Sequence, residues 1–508
     1  MKESVTVINA YRRIMSSTAI FGGAQVVNIL VNIVRGKLVS MILHTVGMGV
    51  QSLYVSAANT VQQFAILGLN ISAVRNISQA NDGNDERALA FTVRLVRSMM
   101  FISALLGFVI MVVMSPFLSK FSFGDRNFTI SFALLGLLVV FNILGTGETT
   151  ILQGMRRYKQ LAFCSVVPPL AGLLFSIPIY YIWRLDGIVP AMILVSVIYY
   201  VVLRFYSYHN PYPKKKRERL TLKRIWVTGH EMIQLGIVMT IGVLLGTITT
   251  YLIVAFINKH GNIGDVGLYQ AGNTITSQYI GLIFTAMAAD FYPHLSSLIK
   301  TNKHEAFRLV NQQAEIALLF VTPLSMIMTL TAPILITVLL TSEFLEIRNM
   351  IRFMALGCIF KAMCFPMDYI AYAKGDKKYI LWIETLLGCT ERLSVMTLSY
   401  YYFGLDGLGY GALVCGIIDF IVSVVAIGWR YGFKLSGKTI RLMIVLLALA
   451  TSCVLCSFFI PRPWGWYVMT LLNVVGCAYS LIELNKRLQL RSMIDRWKNR
   501  KNEQTNAV

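Results

Sequence analysis

The sequence predicts an all-α polytopic membrane protein with about fourteen transmembrane helices. Of its 508 residues, 56% are hydrophobic and 14% are charged, and the mean hydropathy is +0.63. A soluble domain carries roughly 25% charged residues. Backbone groups in hydrocarbon must be satisfied internally, so such a chain folds into apolar helices joined by polar loops. The sequence lacks the period-2 alternation that is typical of a membrane β-barrel.

Fourteen apolar runs account for the predicted helices. Each run is long enough to cross roughly 30 Å of hydrocarbon. In chain order they cover residues 14–43, 50–74, 95–118, 129–152, 160–183, 187–207, 231–257, 266–290, 310–336, 349–372, 380–402, 407–429, 440–460 and 465–485. The loops predicted outside have about a dozen residues at most. They are too short to assemble the acids, bases and metal ligands of a membrane polymerase or sugar transferase.

Basic residues set the predicted orientation, because cytoplasmic loops are enriched in lysine and arginine. With the N-terminus inside, the clusters at 204–224, 374–378, 430–441 and 486–501 all fall inside, whereas the outside loops hold six basic residues. Both termini are therefore predicted to be cytoplasmic. The formal net charge of +22 is explained by these cytoplasmic clusters. The sequence lacks a basic domain with interleaved aromatic residues, so nucleic-acid binding is not expected.

An internal repeat divides the predicted helices into two sets of six. Four motifs recur in the same order at a spacing near 215–221 residues. The matched pairs are Gly49–Tyr54 with Gly264–Tyr269, Ser115–Leu118 with Ala332–Leu335, Gly154 and Tyr158 with Gly375 and Tyr379, and Tyr180–Gly187 with Tyr400–Gly407. Because six is even, the two sets have the same orientation in the membrane, which predicts a parallel pseudo-twofold repeat about the membrane normal.

The repeat predicts a domain organisation of two lobes around a central cavity. The N-lobe covers 1–208, a basic cytoplasmic connector covers 209–230, and the C-lobe covers 231–430. Helices 13 and 14 occupy 431–490, and a basic tail at 491–508 is expected to lie on the membrane surface. The connector is interpreted as a topological anchor that can also contact anionic lipid head groups. Two similar lobes facing a cavity suit a transporter that works by rocking alternating access.

Several segments resemble one transporter family. The segment RGKLVSMILHTVGMGVQSLYVSAANTVQQFAILGLNISAVRNIS (35–78) resembles the first helix pair of the polysaccharide flippases in the multidrug/oligosaccharidyl-lipid/polysaccharide exporter superfamily. The segments LQGMRRYKQLA (152–162), YYIWRLDGIVPAMIL (180–194) and GLYQAGNTITSQYIGLIFTAMAADFYPHLSSL (267–298) are also similar to that family. The resemblance, over roughly residues 10–430, implies a flippase for an isoprenoid-diphosphate-linked oligosaccharide used in O-antigen or capsule synthesis. It implies membrane lipids, a polysaccharide polymerase and glycosyltransferases as partners.

Polar residues within the apolar helices are the candidate substrate contacts, because such residues are costly in lipid and usually face a cavity or a partner. Helices 1 and 2 correspond to helices 7 and 8 in the repeat, and the resemblance implies that these four helices line the cavity. The candidates are Gln25, Asn28, Asn32 and Arg35; Asn59, Gln62, Gln63 and Asn70; Thr247 and Tyr251; and Gln270, Asn273, Thr274, Ser277 and Gln278. Hydrogen bonding between helices within each lobe is the alternative explanation for these residues.

Arg35 is the candidate contact for the diphosphate, since its planar guanidinium matches phosphate oxygens bidentately. It could instead snorkel to the outer membrane interface. Lys37 is the weaker candidate. Glu148 and Asp368 correspond across the repeat, and an acid held in a low dielectric could carry a coupling proton or a sodium ion. Arg392 and Asp419 are expected at similar depth and are interpreted as a structural ion pair.

Three other functions remain as alternatives. A multidrug or cation antiporter of the same superfamily would have an apolar pocket containing acids, and a peptidoglycan-precursor flippase would share the fourteen helices. A membrane glycosyltransferase or polymerase is disfavoured by the short outside loops. The pattern Gly-x-x-x-x-Gly-Lys-Thr occurs once, at 432–439. It lies in a short loop between two predicted transmembrane helices and does not follow a strand, so ATP hydrolysis is not expected. All eight cysteines lie in apolar runs, which predicts no disulfide framework, metal site or cofactor.

Overall fold

The computed structural model describes residues 2–82, 86–209, 222–461 and 463–488. These residues are helical apart from short turns, and none of them forms a strand. The helices are α1 (Lys2–Ile66), α2 (Leu69–Asp82), α3 (Glu86–Phe123), α4 (Thr129–Gly154), α5 (Tyr158–Ala171), α6 (Ile177–Trp183), α7 (Ile188–His209), α8 (Leu222–His260), α9 (Ile263–Thr301), α10 (Lys303–Leu339), α11 (Arg348–Lys374), α12 (Lys377–Tyr379), α13 (Gly388–Tyr431), α14 (Gly437–Phe459) and α15 (Trp464–Leu488). Most of the predicted connector and all of the tail at 491–508 lie outside the described residues.

Short irregular helices complete the chain between these elements. Gly172–Ser176 and Ile380–Leu387 are π-helical, and both lie in the fifth predicted helix of their half. Arg184–Gly187 and Ser342–Ile347 are 3₁₀-helical turns. The π-helical segments join α5 to α6 and α12 to α13 without a break in direction, since their flanking residues keep right-handed helical backbone angles.

Ten helical stretches of the described chain are long and apolar enough to cross a membrane. Three of them, Val27–Ile66, Lys159–Tyr208 and Lys377–Tyr431, have 40, 50 and 55 residues. At 1.5 Å per residue each is longer than one crossing requires, and each contains a break in its backbone, so each is counted as two passes. With α9 added, the described residues account for the fourteen predicted helices, and the prediction of a polytopic all-α membrane protein is confirmed.

The backbone supplies a break inside each of the long stretches. His44, with φ 56° and ψ −167°, interrupts α1 between the first and second predicted helices. Arg184 (φ 47°, ψ −121°) and Gly404 (φ 58°, ψ −141°) adopt the same positive-φ corner. These two residues occupy matching positions in the repeated motifs Tyr180–Gly187 and Tyr400–Gly407. At this position the sequence repeat is therefore also a repeat of backbone conformation.

The described chain divides into two compact units. The first unit ends at Leu268 and also contains Val338–Glu343; the second unit contains Tyr269–Thr337 and the chain from Phe344 onward. The helix α8 belongs to the first unit because it packs on α1, α2 and α3. These units follow packing and not the sequence repeat, so the lobe bounds 1–208 and 231–430 stay a prediction.

Each unit has its own apolar core. In the first unit, α3, α4 and α7 pack around buried residues of the second half of α1, where the Tyr54 and Phe132 rings meet edge to face at 5.2 Å. In the second unit, α11 packs on α13, while α14 and α15 pack together on a core that includes Leu318 and Leu446. Arg487, near the end of α15, donates to Glu315 of α10 at 2.7 Å, which fixes the last two helices to the unit.

Candidate functional site

The first unit contains a cavity of about 280 Å³ between α1, α4, α5 and α7. The polar groups in its wall are one guanidinium, three amides and two hydroxyls. The lining residues are Arg35, Gln51, Val55, Ala58, Asn59, Leu138, Asn142, Pro168, Met192, Val195, Ser196 and Tyr199. None of these is acidic, so the part of the wall that the structure describes has a net positive charge. The cavity can therefore hold an anion whose remaining surface offers hydroxyls or apolar groups.

Arg35 is held in the cavity wall by a glycine and a tyrosine. Its guanidinium packs on Gly172, where an added Cβ would lie 2.7 Å from Nε and 2.8 Å from Cζ. The guanidinium also lies near the buried Tyr180 side chain, whose hydroxyl accepts from Gln51 at 3.4 Å. A side chain fixed in this way loses little further conformational freedom when it binds an anion.

The opposite wall comes from α4 and α7. Tyr199 shares a hydrogen bond of 3.0 Å with the Thr149 hydroxyl, and its ring packs on Gly145, where a Cβ would lie 2.7 Å from Cε1. Ser196 is buried one turn earlier on the same face of α7. Asn142, in the middle of the apolar helix α4, adds an amide. These groups can both donate to and accept from hydroxyls of a ligand.

The structure brings two of the predicted residues, Arg35 and Asn59, to this cavity. Asn28 lies two turns before Arg35, and its Nδ2 donates to Ser165 of α5 at 3.4 Å while its buried Oδ1 has no partner. The other described candidates of the first two predicted helices do not line the cavity. Asn32 is exposed, and Gln62, Gln63 and Asn70 are partly buried.

The candidates on α8 have partners inside the first unit. Tyr251 is buried, and its hydroxyl shares a 2.8 Å hydrogen bond with Ser122 of α3. Thr247 donates to the Leu244 carbonyl of its own helix at 2.8 Å. The Tyr251 hydroxyl therefore forms a hydrogen bond between helices, as the alternative explanation expects. The structure gives no support for its predicted role in a substrate cavity.

The candidates on α9 lie in the second unit, where Ser277 donates to Asn273 Oδ1 at 3.0 Å. Gln270 and Thr274 are partly buried on the same helix. The side chains of Gln25 and Gln278 lie outside the described residues. The cavity role of this α9 set stays a prediction.

Glu148 lies at the centre of a buried ion network. Arg97 donates to both carboxylate oxygens at 3.0 and 2.9 Å, and Arg204 donates to Oε1 at 2.7 Å. Arg97 also donates to Ser207 at 2.9 Å, so the network joins α3, α4 and α7. The Glu148 side chain is 4% exposed. Two guanidinium groups compensate this carboxylate, which favours a structural role over the predicted role in ion coupling.

The second unit holds a cluster of acids around Asp368. Its carboxylate accepts from Ser423 at 2.9 Å, and the negative charges of Glu384 and Asp419 act on it. The positive charges of Arg392 and Lys361 are the ones that interact electrostatically with the Asp419 carboxylate. However, the described side chains of Arg392 and Asp419 do not approach to ion-pair distance, so the predicted pair is a longer-range attraction. Among the described residues, no group of three or more His, Cys, Asp or Glu side chains could hold a metal ion.

Sequence reasoning missed four polar residues of the cavity, namely Gln51, Asn142, Ser196 and Tyr199. Gln51 lies within the repeated Gly49–Tyr54 motif, and Asn142 is the amide in the apolar run 129–152. The cost of a polar group in an apolar helix would have identified both. Nothing in the local sequence distinguishes Ser196 and Tyr199 from other small or aromatic residues of α7.

One family profile matches the sequence: the polysaccharide biosynthesis protein family matches residues 42–349. A search of curated protein sequences gave no significant match. The fold is similar to that of the lipid II flippase MurJ in an inward closed conformation. The TM-score is 0.66 at 12% sequence identity, over 92% of this chain and 99% of the other.

Two further solved structures have a similar fold. An inward-facing multidrug resistance MATE family transporter of the MOP superfamily matches with a TM-score of 0.64 at 15% identity, over 80% of this chain and 96% of the other. A MOP superfamily transporter from Pyrococcus furiosus, with a binding pocket described as reversed in polarity, matches with a TM-score of 0.54 at 14% identity, over 81% and 94% of the two chains. At these identities the comparisons establish the fold, which is that of transporters.

Proposed function

Since the chain belongs to the polysaccharide biosynthesis protein family, we propose that it is a flippase that moves an isoprenoid-diphosphate-linked oligosaccharide from the cytoplasmic to the outer leaflet. Transport would proceed by alternating access in the bacterial cytoplasmic membrane. Glycosyltransferases would supply the lipid-linked oligosaccharide, and a polymerase would consume it in the synthesis of O-antigen or capsule.

The observation that carries this proposal is the composition of the cavity in the first unit. A diphosphate needs a cation with several donors, and Arg35 offers a planar guanidinium that is fixed by Gly172. Sugar hydroxyls need groups that both donate and accept, and the amides of Gln51, Asn59 and Asn142 do both. A cavity of about 280 Å³ is smaller than most ligand pockets. It would hold the diphosphate and an adjoining sugar but not a whole oligosaccharide.

The same composition weighs against the multidrug or cation antiporter. An amphipathic cation binds best beside a carboxylate or an aromatic face. The described lining of the cavity has no acid, and its cation would repel such a substrate. A peptidoglycan-precursor flippase remains the second candidate, because a peptidoglycan precursor also has a diphosphate and sugars, and the fold is similar to that of a lipid II flippase.

A flipping assay in proteoliposomes tests the proposal. A fluorescent isoprenoid-diphosphate oligosaccharide is placed in both leaflets, and a membrane-impermeant quencher reports how fast it changes sides. Arg35→Gln should slow flipping by roughly tenfold or more, because a charge-assisted hydrogen bond to phosphate contributes about 1.5–3 kcal/mol. Arg35→Lys keeps the charge without the planar fork and should retain an intermediate rate.

The matched control is Arg126→Gln, an exposed arginine of the same unit outside the cavity, which should flip at the wild-type rate. Flipping by Arg35→Gln at the rate of this control would remove Arg35 from the diphosphate site. Efflux of a cationic dye without movement of the glycolipid would instead establish the antiporter. Faster transport of a peptidoglycan precursor than of an O-antigen or capsule unit would select the second candidate.

A further inference from the structure

A second cavity lies in the second unit, at the end where α11 begins, α14 ends and α15 begins. Its volume is about 220 Å³, and its wall includes Arg348, Asn349 and Arg352 of α11 with Phe458 of α14 and Trp466 of α15. The distribution of basic residues predicts that this end faces outside. The cavity shares no residue with the Arg35 cavity of the first unit.

Arg352 is a buried guanidinium whose orientation is fixed. The residue is 6% exposed, and its Nη1 donates to Asn349 Oδ1 at 3.2 Å. Its Nε lies 3.4 Å from the Thr329 carbonyl, and its Cζ lies 6.0 Å from the centre of the Phe458 ring. This fixed guanidinium lies in the cavity wall, where it can donate to an anion.

The charges around the cavity favour an anion. Arg348 is exposed and adds a second guanidinium at the first residue of α11, a helix of 27 residues whose N-terminal amides also attract negative charge. No residue in the described part of the wall is acidic. The nearest carboxylate in the hydrogen-bond network is Asp406, which accepts from Asn349 at 3.4 Å and does not line the cavity.

The surroundings favour an anion that belongs to a lipid. Phe459 and Trp464, on either side of the turn between α14 and α15, are 79% and 69% exposed. Exposed aromatic residues at helix ends are typical of the depth of lipid head groups. The volume is below that of pockets for drug-sized ligands and has room for the polar head of a lipid, with the acyl chains outside.

We propose that this cavity binds the phosphate of an anionic phospholipid head group. Arg352 and Arg348 hold the phosphate oxygens, and the acyl chains lie against the apolar outer faces of α14 and α15. The lipid thereby adds a contact between α11 and the last two helices. This site is independent of the proposed flippase activity, because it uses neither the first cavity nor its residues.

Native mass spectrometry of the full-length chain in detergent tests the site. The probes are dioleoyl-phosphatidylglycerol and dioleoyl-phosphatidylcholine, each titrated alone, and then phosphatidylglycerol in competition with potassium phosphate. The wild type should retain phosphatidylglycerol preferentially, and Arg348→Gln should weaken that binding roughly tenfold. Arg348→Lys should recover part of it. Arg441→Gln, an exposed arginine near the other end of α14, is the matched control and should bind like the wild type.

Equal binding of the two lipids, or equal binding by Arg348→Gln and Arg441→Gln, would overturn the proposal. Displacement of phosphatidylglycerol by potassium phosphate would show a site for free phosphate and would also overturn it. Arg352→Gln should weaken binding further. If that variant does not fold because of its burial, the Arg348 variants decide the question on their own.

Discussion

Replacing Glu148 with glutamine tests whether this carboxylate stabilises the fold or couples transport to an ion. The substitution keeps the shape of the side chain but removes the charge that compensates Arg97 and Arg204, which donate to it through three hydrogen bonds of 2.7–3.0 Å. The Glu148 side chain is 4% exposed and that of Arg97 is 16% exposed. Removal of one partner from a buried ion pair costs about 3–5 kcal/mol. We therefore expect Glu148→Gln to lower the free energy of unfolding by that amount.

Reversible unfolding in mixed micelles with increasing SDS measures this free energy. The matched control is Glu305→Gln, which removes an exposed acid 4.0 Å from Arg308; an exposed pair contributes about 0–1 kcal/mol. The double variant Glu148→Gln with Arg97→Gln should be less destabilised than the sum of its single variants, because the uncompensated guanidinium is also removed. Stability of Glu148→Gln equal to that of the control, together with flipping that no longer depends on pH or sodium, would refute the structural reasoning.

Two further predictions concern other contacts. Gly49→Ala would place a Cβ 1.9 Å from the Ile263 carbonyl oxygen, so the two helices must separate by roughly 1 Å or more; faster hydrogen exchange at 263–268 and a lower unfolding midpoint should report this. Arg430 holds the pKa of Asp376 well below its usual range through hydrogen bonds of 2.6 and 3.0 Å. A depressed pKa stabilises the fold above the unfolded-state pKa near 3.9. Because Arg430 is exposed, Asp376→Asn should therefore lower the free energy of unfolding by about 0–1 kcal/mol, equally at pH 7 and pH 5, as measured by SDS titration at both values.

The helices and their breaks could be predicted from sequence because hydrocarbon imposes a local rule. An apolar run of sufficient length becomes a helix wherever it occurs, and polar residues between runs mark its ends. The gap between 43 and 50 contains the break at His44, and the gap between 402 and 407 contains the break at Gly404. The π-helical segment Gly172–Ser176 lacks such a signal, apart from the two prolines that precede it.

The candidate site could be predicted only in part, because a cavity depends on which helices are neighbours. The cost of a polar group in lipid singles out Arg35 and Asn59, and both line the cavity. The same cost singles out Tyr251, but Ser122 of another helix satisfies its hydroxyl. Periodicity gives the face of a helix and not its neighbour, so the meeting of α1 with α4 and α7 had no sequence signal.

The repeat pairs Glu148 with Asp368, yet the two acids have opposite surroundings. Glu148 is compensated by two arginines, Arg97 at 2.9 Å and Arg204 at 2.7 Å. Asp368 accepts one hydrogen bond from Ser423 and lies near the negative charges of Glu384 and Asp419, with no basic partner at ion-pair distance among the described side chains. Acids grouped within membrane-spanning helices commonly mark proton or ion pathways. If transport is coupled to an ion, the coupling site should therefore lie in the second unit, whereas the anionic substrate that we propose would bind in the first.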